Sequence, residues 1–131
     1  MKIEELSIGD WVLCDGEYWK ISAVNEDSVG LRVDSDYSVA SLEECDPIEI
    51  TSDILEENGF SLCDGCTSRW ELECGVCWIK VTAPENYADV TVYKKVAHGY
   101  RRVIDEMQIT GVHQLQHILR LVGVRKEVKL W

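Results

Sequence analysis

Short apolar runs, each closed off by turn-forming residues, constrain this chain more than any other feature. Residues 11–14, 18–24, 29–33 and 37–42 have the length and composition of strands, and Asp15-Gly16 and residues 25–27 punctuate them. An Asp-Gly pair between two apolar runs is what a tight hairpin turn with left-handed φ requires. Four or five short strands within about forty residues are too few to stack two sheets, and closing a small barrel is the economical way to hide their edges. An SH3-like β-barrel over residues 1–50 is therefore expected.

A different grammar follows. Thr51-Ser52-Asp53 supplies a helix N-cap and a first-turn acid, Ile54 and Leu55 an apolar patch, and Asn58-Gly59 a left-handed stop before Phe60. Strand-like runs resume at residues 60–63, 66–74, 77–83, 90–95 and 100–109, with Pro84-Glu85-Asn86 dividing them into two hairpins. From Thr110 as N-cap, Val112, Leu115, Ile118, Leu119 and Val122 fall on one face at helical spacing, and Gly123 ends the run. That helix should lie on the second sheet. The fold class is α+β: a barrel module at 1–50 and a second module at 51–131 with a β-meander and two short helices, the two packed as one compact unit.

A chain of 131 residues has room for a modest core, and 46% apolar against 28% charged residues is ordinary globular usage. The formal charge of −11 is lopsided: residues 1–58 carry 16 acids and three bases, residues 59–131 eight acids and ten bases. Such an acidic first half repels phosphate backbones and disfavours direct nucleic-acid binding. The N-terminal residues turn acidic at once and no stretch is apolar enough for a signal peptide or a membrane span, which places the chain in the cytoplasm with its six thiols reduced.

The cysteines hold the sharpest motif. Cys63-Asp64-Gly65-Cys66 and Cys74-Gly75-Val76-Cys77 pair two C-x-x-C units, as a zinc ribbon does when it offers four thiolates to one tetrahedral ion. Between them Trp70 and Leu72 alternate with Arg69, Glu71 and Glu73 as in a half-buried strand. An extended Cys66 to Cys74 spans about 25 Å, too far for both pairs to share an ion whose Zn–S bonds are about 2.3 Å long. Asp64-Gly65 and Gly75-Val76 also suit the centres of hairpin turns, so the bland reading is structural cysteines flanking turns. A thioredoxin-like dithiol needs a helix after the motif, and here strands follow both pairs.

Other constellations carry less. His113 and His117, four apart on the expected helix, could chelate a metal with Cys74 and Cys77, although histidines beside glutamines on a helix are more often surface or edge residues. Asp34-Ser35-Asp36 opens like a calcium loop but has Val39 where the loop needs glycine. No phosphate-binding glycine loop, nucleophile elbow or dinucleotide fingerprint is present, and no motif pairs carboxylates for acid–base work. Of the five tryptophans most should be core. Alternation sends Trp70 inward and Trp78 outward, leaving Trp78 and Trp19 as candidate anchors for a protein partner.

Three stretches resemble small uncharacterised proteins of gut Bacteroidetes and their phages and mobile elements: Ile3-Glu4-Glu5-Leu6-Ser7-Ile8-Gly9-Asp10-Trp11-Val12, Pro47-Ile48-Glu49-Ile50-Thr51 with Ile54-Leu55-Glu56-Glu57-Asn58-Gly59-Phe60, and Val112-His113-Gln114-Leu115-Gln116. The resemblance implies a genomic setting and no activity. The chain departs from it at His117, where asparagine is usual, and in its paired cysteines. The expectation that follows is a non-enzymatic accessory or interaction protein without a cofactor, acting on a protein partner. Two alternatives stand beside it: a zinc protein built on Cys63, Cys66, Cys74 and Cys77, and an acidic decoy that mimics nucleic acid.

Overall fold

The computed structural model describes residues 1–83, 87–124 and 126–131. Among them are two antiparallel sheets of five strands and two α-helices, an α+β chain that is mostly β. The expected break at Pro84-Glu85-Asn86 lies outside the described residues. Two compact units divide the chain: residues 1–48 with Gly111–Gln114, and residues 49–110 with residues 115–131.

In the first unit, β1 (Trp11–Cys14), β2 (Glu17–Val24), β3 (Ser28–Val33) and β4 (Asp36–Ser41) follow one another as a meander, and β5 (Cys45–Asp46) returns to β1. Asp15 and Gly16 sit between β1 and β2 at φ +50° and +75°. Two successive left-handed residues match the right-handed twist of the flanking strands, which is why Asp-Gly occupies this turn. Val12, Cys14, Ile21, Val29, Leu31, Ala40 and Cys45 form the core with Leu6. The sheet order is β4-β3-β2-β1-β5, with β4 and β5 at the edges. The closure expected of a barrel is therefore not seen: β5 is only two residues long and pairs with β1 alone, too short to reach the opposite edge.

In the second unit, α1 (Ser52–Glu57) starts where Thr51 Oγ1 accepts the Ile54 N–H at 3.2 Å. It ends where Gly59 takes φ +87° and Phe60 N–H reaches back to the Leu55 carbonyl, a left-handed C-terminal stop. The sheet then runs β6 (Ser61–Leu62), β7 (Arg69–Cys74), β8 (Cys77–Thr82), β9 (Ala88–Val96) and β10 (Gly99–Ile109), in spatial order β10-β9-β8-β7-β6. Burial alternates along β8 and β9, with Cys77, Ile79, Val81, Ala88, Val90 and Val92 inside. A period of two is what a sheet with one covered face demands.

The last helix, α2 (Val112–Leu121), begins two residues after Thr110, and Gly111 is tightly packed just ahead of it. A Cβ on Gly111 would stand 2.7 Å from Pro47 Cβ and 2.9 Å from His113 Nδ1, so only glycine lets the chain pass there before the helix starts. The stripe Val112, Leu115, Ile118 and Leu119 is buried as its spacing predicts, whereas Val122 falls past the helix and is half-buried.

Candidate functional site

The outward face of the second sheet gathers most of the chemistry this chain displays. Pairing registers set Glu73 opposite Trp78, Trp78 opposite Tyr93, and Tyr93 opposite Arg102, so one row of side chains crosses four strands. The next row is Glu71, Lys80 and Thr91, and the next Arg69, Thr82 and Asp89. These residues alternate with the buried Ile79, Val81, Val90 and Val92, which is what turns them to the other face.

The rings and cations of this face hold one another. Trp78 lies 5.1 Å from Tyr93 and 5.7 Å from Tyr100 between ring centroids, both tilted. Lys80 Nζ sits 4.2 Å above the Trp78 ring and 5.6 Å from that of Tyr93, while the Arg102 guanidinium lies 5.6 Å from Tyr93. A cation over an aromatic face is attracted by the ring quadrupole. Tyr100 Oη donates to Glu73 Oε1 at 2.7 Å, and the neighbouring carboxylate raises the phenol pKa above its ordinary value. Arg102 Nη2 donates to Tyr93 Oη and Nη1 to Asp105, contacts that hold the guanidinium charged.

The edge strand shapes the far wall. β10 slips register between Arg102 and Ile104 and again between Ile104 and Met107, and Glu106 takes φ +44° with its N–H bonded to Thr91 Oγ1. Bulges of this kind re-aim side chains. The result is an open cleft of about 330 Å³ in which Arg69, Lys80 and Arg102 share the lining with Asp89, Asp105 and Glu106. Trp78 thus stands where alternation places it, on the open face, and Trp70 is buried on the other. Trp19 differs: it is half-buried against the core of the first unit, and its ring is committed to packing there.

The four motif cysteines occupy opposite ends of β7. Cys63 and Cys66 close a turn in which Cys66 N–H bonds the Cys63 carbonyl, and Cys63 N–H bonds Arg69 at the start of the strand. A hydrogen bond with Cys66 raises the Cys63 pKa. Cys74 and Cys77 face each other at the strand's other end, with their Sγ atoms 2.9 Å apart. Five strand steps at about 3.3 Å each keep the two pairs roughly 17 Å apart. Among the described residues no three His, Cys, Asp or Glu side chains cluster as metal ligands would.

His113, for which a surface or edge position is the usual one, is 1% exposed, and Gln116 three residues on is buried as well. His117 is half-buried. One pairing was invisible in the sequence: Cys14 on β1 faces Cys45 on β5, Sγ to Sγ 3.0 Å, both in the core of the first unit. Thirty-one positions separate them, and only the return of the short β5 to β1 brings them together. No helix among the described residues is long and apolar enough to cross a membrane. No family model matches the chain, and no curated protein or solved structure matches it.

Proposed function

We propose that the protein is an interaction module that works by binding rather than by catalysis, and that it takes its partner on the outward face of the second sheet. The observation that carries this is the platform of Trp78, Tyr93 and Tyr100 with Lys80 held over two of the rings. Aromatic side chains already packed against one another lose little conformational freedom when a partner arrives, and tryptophan, tyrosine and arginine are the residues that most often anchor protein interfaces. The occupant is a segment of a partner protein that lays an apolar or aromatic side chain on the platform and directs a carboxylate toward Lys80 and Arg69 in the cleft.

The acidic first half weighs against a long phosphate backbone as that partner, and a short segment that brings a single carboxylate to the cleft meets far less of that repulsion. The resemblance of the three motifs, read from the sequence, to proteins of mobile elements supports an accessory role in that setting. Meander order, with a one-turn 3₁₀ segment (Leu42–Glu44) ahead of the short last strand, supports an SH3-like relationship for the first unit in strand order though not in closure.

A peptide array tests the binding face. Acidic sequences containing aromatic residues should be retained by the wild-type chain, lost with Trp78→Ala and weakened with Lys80→Glu, both variants keeping the wild-type circular dichroism. Equal retention by Trp78→Ala, or a preference for basic peptides, would overturn the reading.

A further inference from the structure

Cys74 and Cys77 flank the two-residue turn between β7 and β8 and oppose each other in register. Directly opposed residues of an antiparallel ladder have Cα atoms about 4.5–5.5 Å apart, inside the 4.4–6.8 Å a disulfide spans. Their sulfurs stand 2.9 Å apart, so a small approach brings them to the S–S bond length of about 2.05 Å. We propose that Cys74 and Cys77 form a reversible disulfide site, closed by hydrogen peroxide or by a small-molecule disulfide and reopened by thiols. The two cysteines alternate with Glu73 and Trp78, so their side chains point to the covered face of the sheet.

Access sets the order of events. Cys74 is half-buried and meets the oxidant, whereas Cys77 is only 2% exposed and lies behind it. With peroxide, the Cys74 thiolate takes an oxygen to become a sulfenic acid and hydroxide leaves. The Cys77 sulfur then attacks Cys74 Sγ, the S–S bond forms, the S–O bond breaks, and the Cys77 proton leaves with the departing hydroxide as water. Overall, two thiols and one peroxide become one disulfide and two waters. With a small-molecule disulfide, Cys74 forms the mixed disulfide and Cys77 displaces the remaining thiol. Burial pushes the Cys77 thiol up to about 12, so the closing step quickens as pH rises through the alkaline range.

Cys14 and Cys45 provide an internal comparison. Their sulfurs are as close, 3.0 Å, but both residues sit in the core of the first unit at 4% and 1% exposure. Proximity without access should leave them reduced while the chain is folded.

The test is brief oxidation of the folded protein with peroxide or oxidised glutathione, followed by unfolding, alkylation and tryptic digestion. Cleavage after Arg69 and Lys80 isolates Cys74 and Cys77 on one peptide. That peptide should be two hydrogens lighter, carry no alkyl group, and return to the doubly alkylated form after dithiothreitol, while Cys14 and Cys45 alkylate fully. In Cys77→Ser, Cys74 should instead accumulate the glutathione adduct that the wild type resolves. Full alkylation of Cys74 and Cys77 after oxidation, or a stable adduct on wild-type Cys74, would overturn the proposal.

Discussion

Asn58 shows how much one side chain can hold. Its Nδ2 donates to the Ile54 carbonyl at 2.7 Å and to the Lys129 carbonyl at 2.6 Å, and its Oδ1 accepts the Lys129 N–H at 2.7 Å. The residue is buried, so these partners replace water that cannot reach it. In the sequence Asn58 reads only as half of an Asn-Gly helix stop. Its second role depends on Lys129, 71 positions away, which no local pattern reports. Asn58→Ala should remove both bonds to the Lys129 backbone and cost about 1–2 kcal/mol, because Lys129 itself is exposed and water can take up part of the loss. Hydrogen exchange should locate the loss in residues 126–131, faster by orders of magnitude while β8 stays protected. Uniformly faster exchange across the second unit, or no change at all, would count against this clip.

Elements were legible wherever chemistry within a few residues decides them. β1 to β4 run within one residue of the runs marked by Asp15-Gly16 and residues 25–27, and α1 lies between the Thr51 cap and the Asn58-Gly59 stop as capping demands. β7 is shorter than its run in the sequence: the Cys63–Cys66 turn withholds residues 66–68 from the ladder, which starts at Arg69. At the start of α2 the sequence does not show the approach of Pro47 to Gly111, which leaves no room for a Cβ there. Long-range register explains the remaining misses, among them Cys14 against Cys45 and the row from Glu73 to Arg102. For α2 the apolar stripe has a measurable consequence. Leu115 is 1% exposed, so Leu115→Ala should lower stability by about 2–5 kcal/mol in denaturant melts, as loss of a packed leucine does.

Over the whole molecule, the buried thiols tie stability to pH. Burial, and then the hydrogen bond to the facing cysteine, pushes Cys14 and Cys77 from an ordinary 9.0 up to about 12. Below pH 9 these thiols are protonated whether the chain is folded or not, and their contribution is constant. Between pH 9 and 12 the unfolded chain releases protons that the folded chain retains, so stability must fall as pH rises. Urea midpoints measured from pH 8 to 11 should decline, and the decline should be shallower in Cys14→Ala and Cys77→Ala. An identical slope in the variants would remove the thiols as the cause. The division of the chain bears on its biosynthesis as well. Gly111–Gln114 belongs with residues 1–48, and Val112 N–H bonds the Ile48 carbonyl at 2.9 Å. A ribosome delivers the five strands of the first unit long before it delivers that closing segment, with the whole second sheet made in between. The first unit is therefore finished late, and until then its nascent form is the species a chaperone or a protease would meet.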